Sequence, residues 1–316
     1  MKPLDNNLRS VVVVAGPTAS GKSQLALDLG EVLDITIVCA DARQAIRGMQ
    51  IGTAAPTSDE VERIPHVGYA IRDPEFDYSA AEYAETTRGL IDEIPATSIP
   101  VLVGGSGLYL QALFDGFSTD VVATPAEVRD RVQRMLDELG RLAFYDALVS
   151  IDPVAAERYA DMNPRRVQRA LEYYYTTQQR LSDTWSQPRR PAPYAVTWIG
   201  VDQTDTDLKT LIAQRCTRMW QQGLVDETQE LLNRGIDPSS HIMRTIGYAE
   251  AVDVINGISS MDDARQRLLH STWRYAKRQR TWFRRDNRYV WLRGDRMTIT
   301  HEAHTLINTI RDAGRS

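Results

Sequence analysis

Cysteine is nearly absent. The 316 residues hold two, Cys39 and Cys216, far apart and with no histidine or second cysteine at metal-ligand spacing. That excludes a disulfide framework or a zinc site as an expectation and leaves two reduced, buried thiols. Histidine is scarce too, with five scattered residues; His66, after Pro65, reads as structural. No apolar run approaches the ~20 residues that a membrane span needs. Residues 1–10 carry Lys2, Asp5 and Arg9 where a signal peptide would be apolar, so a cytoplasmic location and no membrane partner are expected. Internal repeats and low-complexity tracts are also missing. A net charge of -5 does not suit an indiscriminate nucleic-acid binder.

What is present is an ordinary globular composition, 42% apolar and 25% charged, enough for one large or two modest domains. The charge is unevenly spread. Residues 24–117 hold fifteen Asp or Glu against five Arg, whereas 273–288 hold seven Lys or Arg against the single Asp286. A basic segment in an acidic chain points to one directed anionic surface. Trp273, Tyr275, Trp282 and Phe283 interleave with its cations, a pattern that suits stacking on bases beside phosphate contacts as well as core packing.

Residues 11–23 read Val-Val-Val-Val-Ala-Gly-Pro-Thr-Ala-Ser-Gly-Lys-Ser. A β-branched run suits a strand buried on both faces, and residues 24–33 continue at helical spacing, so Gly16 to Ser23 form a phosphate-binding loop in its required context. Gly16 and Gly21 would let backbone N–H groups converge on phosphate oxygens, with Pro17, Thr18, Ala19 and Ser20 as the rest of the phosphate-binding loop. Lys22 would reach a terminal phosphate, and Ser23 would ligate Mg2+. A tight turn without ligand is the bland alternative. The loop implies a polyphosphate, not which one.

A second buried-type strand, residues 35–41, delivers Asp41 to its C-terminal end, where ligands bind in open α/β sheets. Spacing alone leaves two roles open for Asp41, holding magnesium through water or acting on a substrate. Residues 42–78 read as irregular, broken by Gly48, Gly52, Pro56, Pro65 and Pro74. A helix opens at Ser79, and a third strand over 100–104 runs into Gly105-Ser106-Gly107. A strand ending in Gly-Gly-Ser supplies no acidic metal ligand there, which weighs against a motor or kinase. From 125 to 177 the pattern is all-helical, over 125–139, 142–149, 153–159 and 164–177, with Pro at three starts. Pro188, Pro191 and Pro193 lead to a strand over 194–201, helices follow, and a last strand covers 288–292 before a helix from His301. The expected fold is α/β, a P-loop NTPase-like parallel sheet flanked by helices, with 1–117 and 196–316 as the core and 118–195 as an all-helical insertion.

Taken together, Gly16 to Ser23, Ala40-Asp41 with Gln44, Gly48-Met49 with Ile51 to Ala54, Val103 to Tyr109, Arg166 to Glu172, Ile246 to Tyr248, and Ala276 to Gln279 with Thr281 to Arg284 resemble the tRNA dimethylallyltransferases. The resemblance runs in order over nearly the whole chain, and the ordered set is far more specific than the loop. It implies transfer of the dimethylallyl group of dimethylallyl diphosphate to N6 of adenosine 37, just 3′ of the tRNA anticodon, with release of diphosphate and Mg2+ as cofactor, by a monomer. It further implies that Asp41 is the base toward N6–H and that Lys22, Ser106 and Arg215 are catalytic, with Arg215 on the diphosphate. Ser106 stands where the family usually has Thr. By the same resemblance tRNA would be met by Asp41, Ala42, Arg43, Gln44 and Ser106 at the flipped base. Arg129, Arg165, Arg166, Val167, Gln168 and Arg169 would touch tRNA from the insertion, and Lys277, Arg278 and Arg284 its backbone phosphates.

The chain departs from the family pattern at Ala42, Ala45 and Ile46, which remove a hydroxyl and an aromatic ring expected beside the base, and at Ala55 and Val67. Three other functions remain as alternatives. An adenylate isopentenyltransferase would share the loop and Asp41 but need no basic tRNA surface. A small-molecule kinase would phosphorylate its product. A nucleotide-gated RNA binder would yield no product.

Overall fold

In the computed structural model, which describes residues 8–76, 78–116, 124–186 and 191–313, the valine run forms strand β1 (Arg9–Ala15). Lys2 and Asp5, the insertion boundary at 117–118 and Pro188 lie outside the described residues. After β1 come α1 (Lys22–Gly30), β2 (Ile35–Cys39), the short helices α2 (Gln50–Thr53) and α3 (Ser58–Arg63), and the two-residue strand β3 (His66–Val67). Then follow α4 (Ala80–Glu93), β4 (Ile99–Gly104) and α5 (Gly107–Phe114). Helices α6 (Ala126–Ile151), α7 (Pro153–Arg158) and α8 (Pro164–Thr177) precede β5 (Tyr194–Val201). The chain closes with α9 (Asp205–Gln221), α10 (Leu224–Asn233), α11 (Tyr248–Ile255), α12 (Met261–Phe283), β6 (Val290–Leu292) and α13 (Arg296–Ala313).

Among the described residues the strands make one six-stranded parallel sheet in the order β3-β2-β4-β1-β5-β6. Its central strands are buried on both faces, which is why they read as unbroken apolar runs. Val12, Val14, Ile37, Val101 and Ile199 pack with Leu25 and Leu29 of α1 and Ile307 of α13. Val11 and Val13 face the other way by the strand period of two and are equally buried. A further cluster joins Ile46 and Met49 to Leu208, Ile212, Leu224, Tyr248 and Leu268 of the C-terminal helices.

The region from 42 to 78, read as irregular, holds α2, α3 and the edge strand β3. Each is too short to show a period between its breakers. Local chemistry specifies them instead, as in the reciprocal capping box of Thr57 and Glu60 at the start of α3. Ser79 and Glu82 form the same box on α4, where the sequence places a helix start.

The chain divides into two compact units, Met1–Phe114 with Pro193–Ser316, and Asp115–Ala192. The described part of the second is helical, with a core of Val132, Phe144, Leu148, Val167 and Leu171. Its α6 breaks at Gly140 (φ 72°, ψ 170°), between the two helices read from the sequence. Pro153 and Pro164 stand in the first turns of α7 and α8, capped by Asp152 and Asn163. Among the described residues no helix is long and apolar enough to cross a membrane. Cys39 and Cys216 are free and buried.

One close approach governs the sheet beside its ligand-binding edge. A Cβ on Gly104, the last residue of β4, would stand 1.9 Å from the carbonyl oxygen of Ala40, just past β2. Backbone cannot yield as a flexible side chain does, so Gly104→Ala should cost about 1–3 kcal/mol or more through strand displacement. Urea unfolding should show a lower midpoint at unchanged slope.

Candidate active site

Three loops leave neighbouring strands at one edge of the sheet: 16–21 after β1, 40–49 after β2 and 105–106 after β4. The first turns sharply. Gly16 has φ 151°, and a Cβ there would come within 2.2 Å of the Val201 carbonyl oxygen at the end of β5, so only glycine fits. Gly21 then caps α1 in a left-handed conformation and Ser23 is exposed in its first turn. Ser20 is fully buried, and its hydroxyl has no partner among the described residues. With the phosphates of a bound ligand, exposed Ser23 would offer an oxygen donor of the kind that suits Mg2+, which takes few protein ligands and keeps several waters. Among the described residues no group of three His, Cys, Asp or Glu is placed to hold a metal by itself.

Lys22 folds back on its own loop, donating from Nζ to the Pro17 carbonyl at 2.7 Å. Burial and, after it, the Arg215 guanidinium lower its pKa to about 7, while the Asp41 carboxylate opposes that shift. Arg215, on α9, is likewise lowered by burial and raised by Asp41. It donates to the Thr53 carbonyl at 2.8 Å, which also receives Gln44 Nε2 at 3.1 Å. Two partly buried cations therefore lie within electrostatic reach of one carboxylate. Asp41 accepts the backbone N–H of Arg43 at 2.9 Å, which orients the carboxylate, and Ser106 Oγ accepts the backbone N–H of Ala42 at 3.0 Å. Asp41, Ala42, Arg43, Gln44, Ser106, Lys22 and Arg215 are thus brought together.

Other residues named from the sequence stand differently. The Thr18 N–H is donated to the side chain of Gln279 at 2.8 Å and so is not directed at a ligand. In the helical unit Arg129, Arg165 and Arg166 are exposed, Arg166 lying 3.6 Å from Asp161. Gln168 donates to Glu172 and Arg169 to Thr124. Val167 corrects the sequence reading, since it is 0% exposed in that unit's core and has no side-chain surface to offer RNA. Ile46 does likewise: at 2% exposure it packs with Met49 and Leu208, so the ring missing there is a core residue and not a neighbour of the base.

On α12, Lys277 and Arg278 are exposed, and the ammonium groups of Lys277 and Lys209 lie 4.9 and 5.3 Å from the centre of the Trp273 ring. Arg284 is half-exposed but donates at 2.9 Å to Asp202, whose fully buried carboxylate also takes Arg280 at 2.9 Å and lies 3.5 Å from Arg293. Among the aromatics of this helix Phe283 is core, while Trp282 is exposed.

Sequence reasoning missed Asp202, Gln279 and Glu227. Asp202 follows an apolar strand just as Asp41 does, and that signal was available. Gln279 falls in the buried series Ala264, Leu268, Thr272, Ala276, Gln279, Phe283, where an amide among apolar and small residues marks an internal bond. Glu227 is buried and accepts the N–H groups of Ile51 and Gly52 and the Tyr248 hydroxyl, fixing α2 and hence the Thr53 carbonyl. Nothing local in sequence marks that role.

A model of the IPP transferase family matches residues 44–286. Among curated proteins, a tRNA dimethylallyltransferase of Geobacter sulfurreducens is 38% identical over 284 residues, covering 89% of this chain and 91% of its own. One of Streptomyces griseus is 40% identical over 301 residues, covering 94% and 95%. Among solved structures, a tRNA isopentenylpyrophosphate transferase of Bacillus halodurans superposes with a TM-score of 0.71 at 32% identity, covering 97% of this chain and 98% of its own. A family model over most of the chain and relatives of 38% and 40% identity that it spans almost entirely make the chain a member of the IPP transferase family.

Proposed function

We propose that this protein transfers the dimethylallyl group of dimethylallyl diphosphate to N6 of adenosine 37 in tRNA and releases diphosphate. What supports the reading is that, in a member of this family, Asp41 after β2 lies within electrostatic reach of Lys22, in the loop after β1, and of Arg215 on α9. The exocyclic amine of adenine is a weak nucleophile because its lone pair is delocalised into the ring. Asp41 accepts the N6–H hydrogen bond and takes the proton as nitrogen bonds to C1 of the prenyl group. The C1–O bond breaks and its electron pair leaves with diphosphate. Lys22, Arg215 and the amides of the phosphate loop meet that growing charge where it develops. Mg2+, held by Ser23, would add charge neutralisation on the leaving group.

An adenine in an anticodon loop must leave its stack to reach such a site, and Gln44 and Ser106 border the place it would enter. Exposed Lys277 and Arg278 favour tRNA over a free adenine nucleotide, which would need no such cations. Arg129, Arg165, Arg166, Gln168 and Arg169 supply further tRNA contacts from the helical unit. The protein acts as a monomer in the cytoplasm.

The direct test is nucleoside mass spectrometry of tRNA incubated with protein, Mg2+ and dimethylallyl diphosphate. A new N6-alkylated adenosine is expected; a phosphorylated product, or equal alkylation of AMP and an anticodon stem-loop, would overturn the reading. In the same assay Asp41→Asn should slow turnover at least about tenfold with donor affinity nearly intact. A collapse of diphosphate affinity instead would make Asp41 a metal ligand.

The lowered pKa of Lys22 has a sign that can be measured. Between about 7 and its ordinary value the unfolded chain binds this proton and the folded one does not, so this residue makes stability rise with pH across that window. A bound diphosphate restores the proton. Calorimetry at pH 8 in buffers of different ionisation enthalpy should therefore show up to about one more proton taken up by the wild type than by Lys22→Met. Equal buffer dependence would show Lys22 already charged. For Lys277→Ala and Arg278→Ala, tRNA affinity should weaken whatever the tRNA sequence, with the salt slope reduced by about one for each phosphate no longer neutralised. Filter binding across a salt series checks it, and an unchanged slope would leave them a solvated face.

A further inference from the structure

Gln279 is 6% exposed, on the side of α12 turned toward the sheet. Its amide oxygen accepts the backbone N–H of Thr18 at 2.8 Å, and its amide nitrogen donates to the Gly105 carbonyl at 3.0 Å. Thr18 lies in the phosphate loop. Gly105 lies in the loop after β4, next to Ser106, whose hydroxyl holds the backbone beside Asp41. One side chain thus ties the loop that would grip the leaving group to the loop that supports the base. The neighbouring residue adds a second hold. Arg280 donates to Asp202 and to the Gln203 carbonyl at 2.9 Å, and Gln203 Nε2 donates to the Ser20 carbonyl at 3.2 Å. The helix therefore reaches the phosphate loop on both sides of Ala19, a non-glycine residue in the left-handed region at φ 63°.

We infer that Gln279 is a positioning residue of this active site, setting the phosphate loop in register with Asp41 by spending its two amide groups on Thr18 and Gly105. The Thr18 N–H is withdrawn from the anion. With the amide gone, two buried backbone groups lose their partners and both loops loosen together. The effect on turnover rests on the function proposed above, whereas the effect on diphosphate does not.

Two variants break the same bridge from opposite ends. Gln279→Met keeps the side chain's length and removes both hydrogen bonds. Gly105→Ala leaves Gln279 in place but puts a Cβ 2.1 Å from its Nε2. Affinity for magnesium diphosphate by calorimetry, kcat and KM for dimethylallyl diphosphate, and Tm are measured for both variants and for their combination. Each variant should bind diphosphate about fivefold or more weakly and lower kcat about tenfold or more, as expected when two buried hydrogen bonds are removed. The combination should be no worse than the worse single variant, because groups that act as one unit are not additive. A fall in Tm with unchanged diphosphate affinity and unchanged kcat per folded molecule would overturn the inference in favour of plain packing, as would fully additive losses. Failure of both variants to fold would also count against it, by making the amide part of the folding core. Should the wild type alkylate no tRNA, the function falls while the diphosphate measurements still decide the role of Gln279.

Discussion

Two cations held partly out of water beside one carboxylate form the constraint on which the site depends. Lys22 and Arg215 are each destabilised as cations by burial, and Lys22 further by the presence of Arg215. Asp41 offsets only part of that cost. The Lys22 ammonium is left donating to its own loop carbonyl, and Arg215 to that of Thr53. On the function proposed above, a diphosphate would supply the missing negative charge where the helix α1 begins. Such a site would gain most from a group whose negative charge grows during the proposed reaction. That is the requirement for favouring a transition state over the bound substrate.

Holding such charges in place falls to residues that touch no substrate. Asp202 stands just past β5 with no exposed surface, accepts from Arg280 and Arg284 and draws Arg293 near. A buried carboxylate is tolerable only with partners of this kind, and removing one would leave the other stranded. The cluster fastens the C-terminal part of α12 to the sheet edge, where Gln279 then meets the phosphate loop. On the opposite side Glu227 fixes the turn of Ile51 and Gly52. Thr53 follows in the same turn, and its carbonyl receives both Gln44 and Arg215. Two buried acids, Asp202 and Glu227, thus fix the elements that carry Gln279 and the Thr53 carbonyl.

The phosphate loop, the parallel strands β1, β2, β4 and β5 and the helical stretch after 125 were legible in sequence because each has a run or period long enough to stand out. The position of Asp41 just past the apolar strand β2 was legible too. The short α2, α3 and β3 were not, since a capping box or a two-residue pairing has no period. Val167 was misread as an RNA contact because it lies inside a basic stretch, and only helical geometry turns it inward while Arg165 and Arg166 stay outside. Ile46 was misread for the opposite reason: adjacency to Asp41 and Gln44 suggested a shared role, yet its side chain belongs to the cluster of the C-terminal helices.

The basic segment 273–288, the end of α12 and the residues after it, shows why charge density in sequence overstates a binding surface. Its seven cations do not act as one patch. Arg280 and Arg284 turn to Asp202, and Arg288 pairs with Asp286 at 2.6 Å, so these three serve the protein's own carboxylates. Lys277 and Arg278 face solvent, one turn or less from the buried amide of Gln279. The 3.6-residue period thus sorts neighbours in sequence into two duties, with exposed ammonium and guanidinium groups turned outward and Gln279 and Arg280 on the phosphate loop and its neighbour. Lys277 and Arg278 thus stand exposed on the same helix whose buried Gln279 holds the Thr18 N–H of the loop after β1.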